Sequence, residues 1–300
     1  MTEILKTKAN ISFSASGIDL FQLCEARYDM KENQNKVLPM IQKSKSLDLG
    51  TLAHEGLEVY FNGIKNGIHY NDRMQATLMK IRQVSSDPEH SNADPDEVNK
   101  ILTAVEESCD LWRAEDENLI VHAVETPFDY VLYEDDYVRI IISGKIDLLC
   151  DILPLGRNAG YPNIPFDHKT YGREFPTYRL SNQFTNYVIA TDSNYLIVNK
   201  IGLQKSLKPV EKHKRIPLSF DPLIKQQWKE NIINMILEQY LGCVTSGNWK
   251  MNFTSCYKFN RLCEYYEVCD SSGPEAKAFK LENNYVEGKP WDKYKKEAEV

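Results

Sequence analysis

The stretch NIPFDHKT, residues 163–170, ends an apolar run in Asp167, His168 and Lys169. On a strand, alternate side chains share a face, so Asp167 and Lys169 project together and His168 points away. Taken alone, an acid and an amine so placed read first as a strand-end ion pair. A second carboxylate changes the balance. SGKIDLL sets Asp147 inside an otherwise apolar strand, where a charge is costly unless it is paired or bound to a metal. A strand–loop–strand connection can bring Asp147 beside Asp167, and two such acids repel and raise a pKa unless a cation sits between them. Lys169 can neutralise one of them. A divalent ion does so better, and two oxygen ligands plus waters are what Mg²⁺ or Mn²⁺ needs. GTLAHEGLE adds His54 on a helix with Glu58 one turn later, and SNQFTNYVIA gives Gln183 and Tyr187 at i and i+4 on one helical face. Each of these alone is weak, since a single helical histidine is more often structural and an i, i+4 spacing arises by chance.

The elements that must position these groups follow from periodicity. Residues 12–31 read as a capped helix, with Ser16 preferred to Ser14 as N-cap because Asp19 then falls in the first turn. LDLGTLAHEGLEVYFNGIKNG reads as a second helix closed by Gly63 and Gly67. From about 70 to 118 the pattern is helical and polar, broken once by Ser, Asp and Pro, and predicts a helical insertion. LIVHAVETPFDYVLY, DYVRIIISGKIDLLCD and NIPFDHKT then predict three successive strands, antiparallel from their short connections. A helix around PTYRLSNQFTNYVIATD, strands in NYLIVNKIGLQ and KRIPLSF, and a long helix capped by Asp221 complete an α/β core. The tail 271–300, balanced in acidic and basic residues, is expected to be partly flexible.

Bulk composition narrows the classes. The 36 basic and 43 acidic residues leave a net charge of −7, which argues against coating duplex nucleic acid by bulk electrostatics but permits a local basic channel. No apolar run reaches the length of a membrane span and the N-terminus lacks a signal-peptide core, so a cytoplasmic protein without membrane partners is expected. In a reducing compartment the seven cysteines argue against a disulfide framework. Three of them, Cys256, Cys263 and Cys269, crowd together without the tight pairs of zinc modules. Their spacing alone leaves zinc, a cluster or chance open. No Gly-Lys-Ser/Thr phosphate loop is present, so a fused helicase is not expected in this chain.

Taken together, the order Gly50-x-x-x-His54, Gly144-x-x-Asp147, Asp167-x-Lys169, Gln183-x-x-x-Tyr187 resembles the PD-(D/E)XK nuclease superfamily, in particular its RecB-like branch; Thr170 also fits. The resemblance covers roughly residues 11–270. It implies a restriction-endonuclease-like core, a small mixed sheet flanked by helices, forming one nuclease domain over 1–270 with the helical insertion inside it. It further implies that His54, Asp147, Asp167 and the main-chain carbonyl of His168 bind Mg²⁺ or Mn²⁺. Lys169 would orient or activate the attacking water, and Gln183 and Tyr187 would lie against the DNA strand. Metal-assisted phosphodiester hydrolysis requires such a set, since charge builds on the phosphoryl oxygens.

SFSASGIDLFQLCEARY resembles the SxSxxxxFxxCP opening of iron–sulfur members of this branch, the CRISPR-adaptation nucleases and AddB-type nucleases. Ser14, Ser16, Phe21 and Cys24 fall on its fixed positions, and Glu25 stands where proline is common. That arrangement implies a [4Fe–4S] cluster on Cys24, Cys256, Cys263 and Cys269, stapling the chain ends. Cys109, Cys150 and Cys243 are assigned to ordinary burial. The implied activity is a metal-dependent DNA exonuclease, phage-encoded or CRISPR-associated, acting on single strands or DNA ends. Recombination, end processing and CRISPR spacer acquisition are the implied settings, with a CRISPR-adaptation or recombination protein as partner. The alternative is a nuclease-like interaction protein that engages a host CRISPR or repair complex; a redox sensor using the cluster is a third reading.

Overall fold

The computed structural model describes residues 8–39, 45–87, 91–154, 160–173, 179–258 and 261–288, with the side chains of 45–47 excepted. Strand β1 (Ala9–Ser14) leads into α1 (Ala15–Leu23), α2 (Glu25–Tyr28), a π-helical turn (Asp29–Asn33) and β2 (Lys36–Val37). Three helices follow: α3 (Lys45–Lys65), α4 (Tyr70–Ser85) and α5 (Pro95–Asp116). Then come β3 (Leu119–Glu134), β4 (Val138–Ile152), β5 (Tyr161–Tyr171), α6 (Asn182–Ala190) and β6 (Tyr195–Gly202). After α7 (Pro209–Lys212) and β7 (Lys214–Ser219), the chain forms α8 (Pro222–Asn234), a π-helical segment (Met235–Tyr240) and α9 (Leu241–Ser246). It closes with β8 (Tyr257–Lys258), β9 (Arg261–Leu262), α10 (Tyr266–Cys269), α11 (Pro274–Asn284) and β10 (Val286–Glu287).

Pairings run in the order β1-β4-β5-β6-β7, with β3 also on β4. The sheet is mixed: β1 is parallel to β4, β4 antiparallel to β5, β5 parallel to β6 and β6 antiparallel to β7. This is the expected α/β architecture of a central mixed sheet flanked by helices. None of the helices described is long and apolar enough to cross a membrane. Two compact units divide the described residues: those within 8–39, 129–143 and 226–288 form one, and those within 45–128 and 144–225 the other. Strands β3 and β4 are long enough to contribute to both.

In the second unit, α3, α4 and α5 bury one apolar face with the strands: Leu52, Leu57, Tyr60 and Phe61 from α3, Ile81 from α4, Ile101 and Val105 from α5, and Leu148, Cys150, Ile164 and Phe166 from β4 and β5. The polar segment 70–118 is therefore helical, as its pattern predicts, and each of its helices carries an apolar stripe into this core. Helix α5 opens with a capping box, Asp94 accepting from the Glu97 N–H at 2.9 Å and Glu97 from the Asp94 N–H at 3.1 Å. Gly63 does not end α3. It lies inside the helix, where an added Cβ would come within 2.7 Å of Arg73 Cβ, so its role is close approach to α4. Gly67, at φ 66°, is the residue that turns the chain. A separate cluster joins Phe184, Tyr187 and Val188 of α6 to Ile146, Leu196, Val198 and Phe220. Asp221 is the expected cap of α8, its carboxylate accepting from the Leu223 N–H at 2.7 Å.

In the first unit the expectation of a helix from residue 12 is corrected. Residues up to Ser14 are strand, because Ile11 and Phe13 alternate inward opposite Ile140 and Ile142 of β4. The cap is Ser14 and not Ser16: its hydroxyl accepts from the Gly17 N–H at 3.0 Å, and Ser16 only hydrogen-bonds to it. The helix also breaks at Cys24, which is extended (φ −167°, ψ 114°), while Asn252 Nδ2 donates to the Leu23 carbonyl at 2.8 Å. Phe13, Phe21 and Tyr28 pack with Tyr240 in an aromatic nest over β1 and β4. Of the tail, α11 and β10 are regular: Tyr285 stacks on Tyr265 at 5.2 Å and Val286 pairs with Val37. Residues 289–300, the rest of the segment expected to be flexible, lie outside the described residues.

Candidate active site

All the residues singled out for phosphodiester chemistry fall in the second unit. His54 is on α3, Asp147 on β4, Asp167, His168 and Lys169 on β5, and Gln183 and Tyr187 on α6. The antiparallel register of β4 and β5 runs from Ile152↔Tyr161 to Leu148↔Phe166 and continues no further. Beyond it the β5 main chain bonds to side chains. The His168 N–H donates to Asp147 Oδ2 at 2.7 Å, and the His168 carbonyl lies 3.0 Å from His54 Nε2. The two strands thus part where the acidic groups enter, and a buried main-chain donor and acceptor are satisfied by those groups.

Asp167 and Lys169 share a face as strand periodicity requires. Lys169 Nζ donates to Asp167 Oδ1 at 2.9 Å and to Gln183 Oε1 at 3.3 Å, and Gln183 Nε2 donates to the Tyr187 hydroxyl at 2.9 Å. The i, i+4 pair on α6 therefore continues the chain of hydrogen bonds from the lysine. His168 points the other way, its ring stacked on Phe61 at 5.3 Å with Nδ1 3.1 Å from Asn199 Nδ2. Burial holds that imidazole neutral, well below the usual histidine range. Gly144 permits close packing: an added Cβ would stand 2.3 Å from Phe128 Cζ, and the Phe128 ring meets Tyr187 edge-on at 6.1 Å.

The electrostatics describe a site in which two buried carboxylates, Asp147 and Asp167, resist ionisation. Burial pushes the Asp147 carboxyl up to about 7, with Asp167 and Glu125 adding to the effect and His54 opposing it. Asp167 is raised by burial against the pull of Lys169. For His54, burial favours the neutral ring, but Asp147 and then Glu125 outweigh it and lift the imidazole to about 9. Asp167 is fully buried, yet among the described residues its Oδ2 has no hydrogen-bond partner. An orphaned carboxylate oxygen among acids that resist ionisation is what a cation site presents when its donors come from the protein alone. The donors are hard oxygens and one imidazole, which suits Mg²⁺ or Mn²⁺. The residues fit.

Glu125, on β3, was not anticipated. Its carboxylate lies 3.2 Å from His54 Nδ1 and 2.7 Å from Lys145 Nζ. Among the described residues, His54, Glu125 and Asp147 are the group whose ligand atoms gather within 4.8 Å of one another. An acid inside the β-branched run VHAVETPFDYV was the available signal.

The four cysteines proposed as cluster ligands are all in the first unit. Cys24 is the extended residue between α1 and α2, with its Sγ 3.5 Å from the Asn252 nitrogen. Cys256 precedes β8, Cys263 follows β9 and donates its N–H to the Cys256 carbonyl at 2.8 Å, and Cys269 ends α10. The Cys269 thiol is pushed up to about 11 by burial, with Cys24, Cys263 and Cys256 adding to the effect. Cys24, Cys263 and Cys256 thus lie near enough to Cys269 to act on its thiol, while among the described residues no three of these sulfurs gather within 4.8 Å of one another. Cys109, Cys150 and Cys243 are buried, as expected.

The sequence matches the family model described as the PD-(D/E)XK nuclease superfamily over residues 12–270. No curated protein matches it. Among solved structures, similarity is found to the "Putative exonuclease" from Eubacterium rectale, at 11% identity over 79% of this chain and 83% of that chain, with a TM-score of 0.45. A second similarity, to the structure titled SSO0001, has 14% identity over 74% of this chain and 87% of that one, with a TM-score of 0.29.

Proposed function

Because the chain belongs to the PD-(D/E)XK nuclease superfamily, we propose that its second unit hydrolyses phosphodiester bonds of DNA with the help of Mg²⁺ or Mn²⁺. The observation that carries this reading is the orphaned Oδ2 of Asp167 beside a lysine fixed by the other oxygen of the same carboxylate. His54, Asp147, Asp167 and the His168 carbonyl would hold the cation. Such an ion, when bound, lowers the pKa of a water and offsets charge that builds on the phosphoryl oxygens.

The remaining work falls to the chain itself. Lys169 presents an ammonium whose direction is set by Asp167 and Gln183, so it can hold a water by hydrogen bond and stabilise negative charge on the phosphate. Gln183 is in turn held by Tyr187, which is buried; burial raises its phenol far above the usual range and keeps it a neutral partner. Gln183 and Tyr187 thus support the lysine, and by the motif order they would lie against the DNA strand.

The finer reading follows the motif order and the cysteines. The enzyme is a RecB-like exonuclease of single strands or DNA ends, acting in recombination, end processing or CRISPR spacer acquisition. A [4Fe–4S] cluster on Cys24, Cys256, Cys263 and Cys269 ties α1 to the segment around β8, β9 and α10. The nearness of Cys24, Cys263 and Cys256, which adds to the rise of the Cys269 thiol, supports it, and a cluster spans wider sulfur spacings than one ion.

The test is hydrolysis of end-labelled single-stranded DNA by anaerobically purified protein with Mn²⁺, Mg²⁺ or EDTA. Degradation is expected with either metal, abolished by EDTA and by Lys169→Ala, with the variant's fold unchanged. Absence of cleavage by folded, iron-loaded protein under every metal would refute the reading and favour a nuclease-like interaction protein.

A further inference from the structure

We propose that Glu125 is a positioning residue for His54, turning the imidazole so that its Nε2 and the His168 carbonyl face the cation together. The inference rests on the cation site proposed above. An imidazole has two nitrogens, and the one available for ligation is fixed by what the other donates to. Here Nδ1 meets Glu125 Oε1 at 3.2 Å, while Nε2 lies 3.0 Å from the His168 oxygen, close enough for the two atoms to face one ion.

Glu125 also settles a competition. Nδ1 stands 3.8 Å from Asp147 Oδ2, so Asp147 is the other carboxylate to which the ring could donate. By accepting from Nδ1, Glu125 leaves the Asp147 oxygens to the His168 N–H and to the cation. Both Glu125 oxygens are engaged, Oε1 by the imidazole and Oε2 by Lys145 at 2.7 Å, which suits an orienting group better than a ligand. The backbone agrees. Glu125 has φ 46°, a left-handed conformation for a non-glycine residue that persists only where the surroundings over-determine it.

The experiment is calorimetric titration of Mn²⁺ into anaerobically purified, iron-loaded protein freed of divalent ions and without DNA, with thermal melts to check folding. Losing a carboxylate that orients a ligating histidine lowers metal affinity by about 10–100-fold, and that loss is expected for Glu125→Ala. Glu125→Gln keeps an amide oxygen to accept from Nδ1–H and is expected to stay within about threefold of wild type. If the alanine variant does not fold, Glu125→Met, which fills the space without an acceptor, takes its place against Gln. An E125Q loss as deep as that of Asp147→Asn would make Glu125 a ligand by charge and overturn the inference, as would unchanged affinity in E125A. If wild type binds no Mn²⁺, or D147N binds it normally, the cation site itself falls and this inference with it.

Discussion

A buried carboxylate kept for function should be a burden on the metal-free protein, and Asp147 allows that burden to be sized. Its folded pKa of about 7 lies above the ordinary value of 3.8, so the native state prefers the protonated acid. The sign follows: the stability tied to this group is present in full below about pH 4 and is lost as the pH rises through about 7. At about 1.36 kcal/mol per tenfold change in proton affinity, the ceiling on the loss at pH 8 is about 4 kcal/mol. Asp147→Asn removes the ionisation while leaving an amide oxygen to accept from the His168 N–H, which now meets Oδ2. In EDTA the variant should therefore gain stability relative to wild type between pH 4 and pH 8. At about 2–4 °C per kcal/mol in domains of 150–250 residues, the gain in Tm is several degrees. Differential scanning calorimetry at the two pH values reads the effect together with the response of His54, whose raised imidazole Asp147 supports, while contributions independent of pH cancel. Mn²⁺ at pH 8 should then raise the wild-type Tm and leave that of the variant unmoved. A D147N protein that loses stability relative to wild type on going from pH 4 to pH 8 would refute the reasoning.

Two further outcomes are expected. Gly144→Ala forces a Cβ to 2.3 Å from Phe128 Cζ, and overpacking of this kind costs about 1–3 kcal/mol; a denaturant midpoint unchanged from wild type would contradict it. Cys263→Ala should strip iron and sulfide from anaerobically purified protein and lower its Tm, while Lys169→Ala keeps both iron and Tm. A stable, colourless wild type carrying zinc would defeat the cluster assignment.

The residues themselves determined much of the site. A strand's period of two places Asp167 and Lys169 on one face and His168 on the other, and a helix's i, i+4 spacing joins Gln183 to Tyr187; both are local geometry and both are observed. The apolar stripes of α4 and α5 were likewise legible as helices. Boundaries were less so. Ser14 and Ser16 offer the same hydroxyl, and what selects Ser14 is the pairing of Ile11 and Phe13 with β4, a contact about 130 residues away in sequence. Gly63 reads as a helix stop until Arg73 is seen against it. Glu125 is the clearest case. An acid in a β-branched run is all that marks it locally, because its value lies in distance from His54 and Lys145, which reach it from a helix and from the neighbouring strand. Motif order can say which side chains do chemistry, since their types and spacings are written along the chain. Which carboxylate turns the histidine is decided only when the strands part and the groups meet.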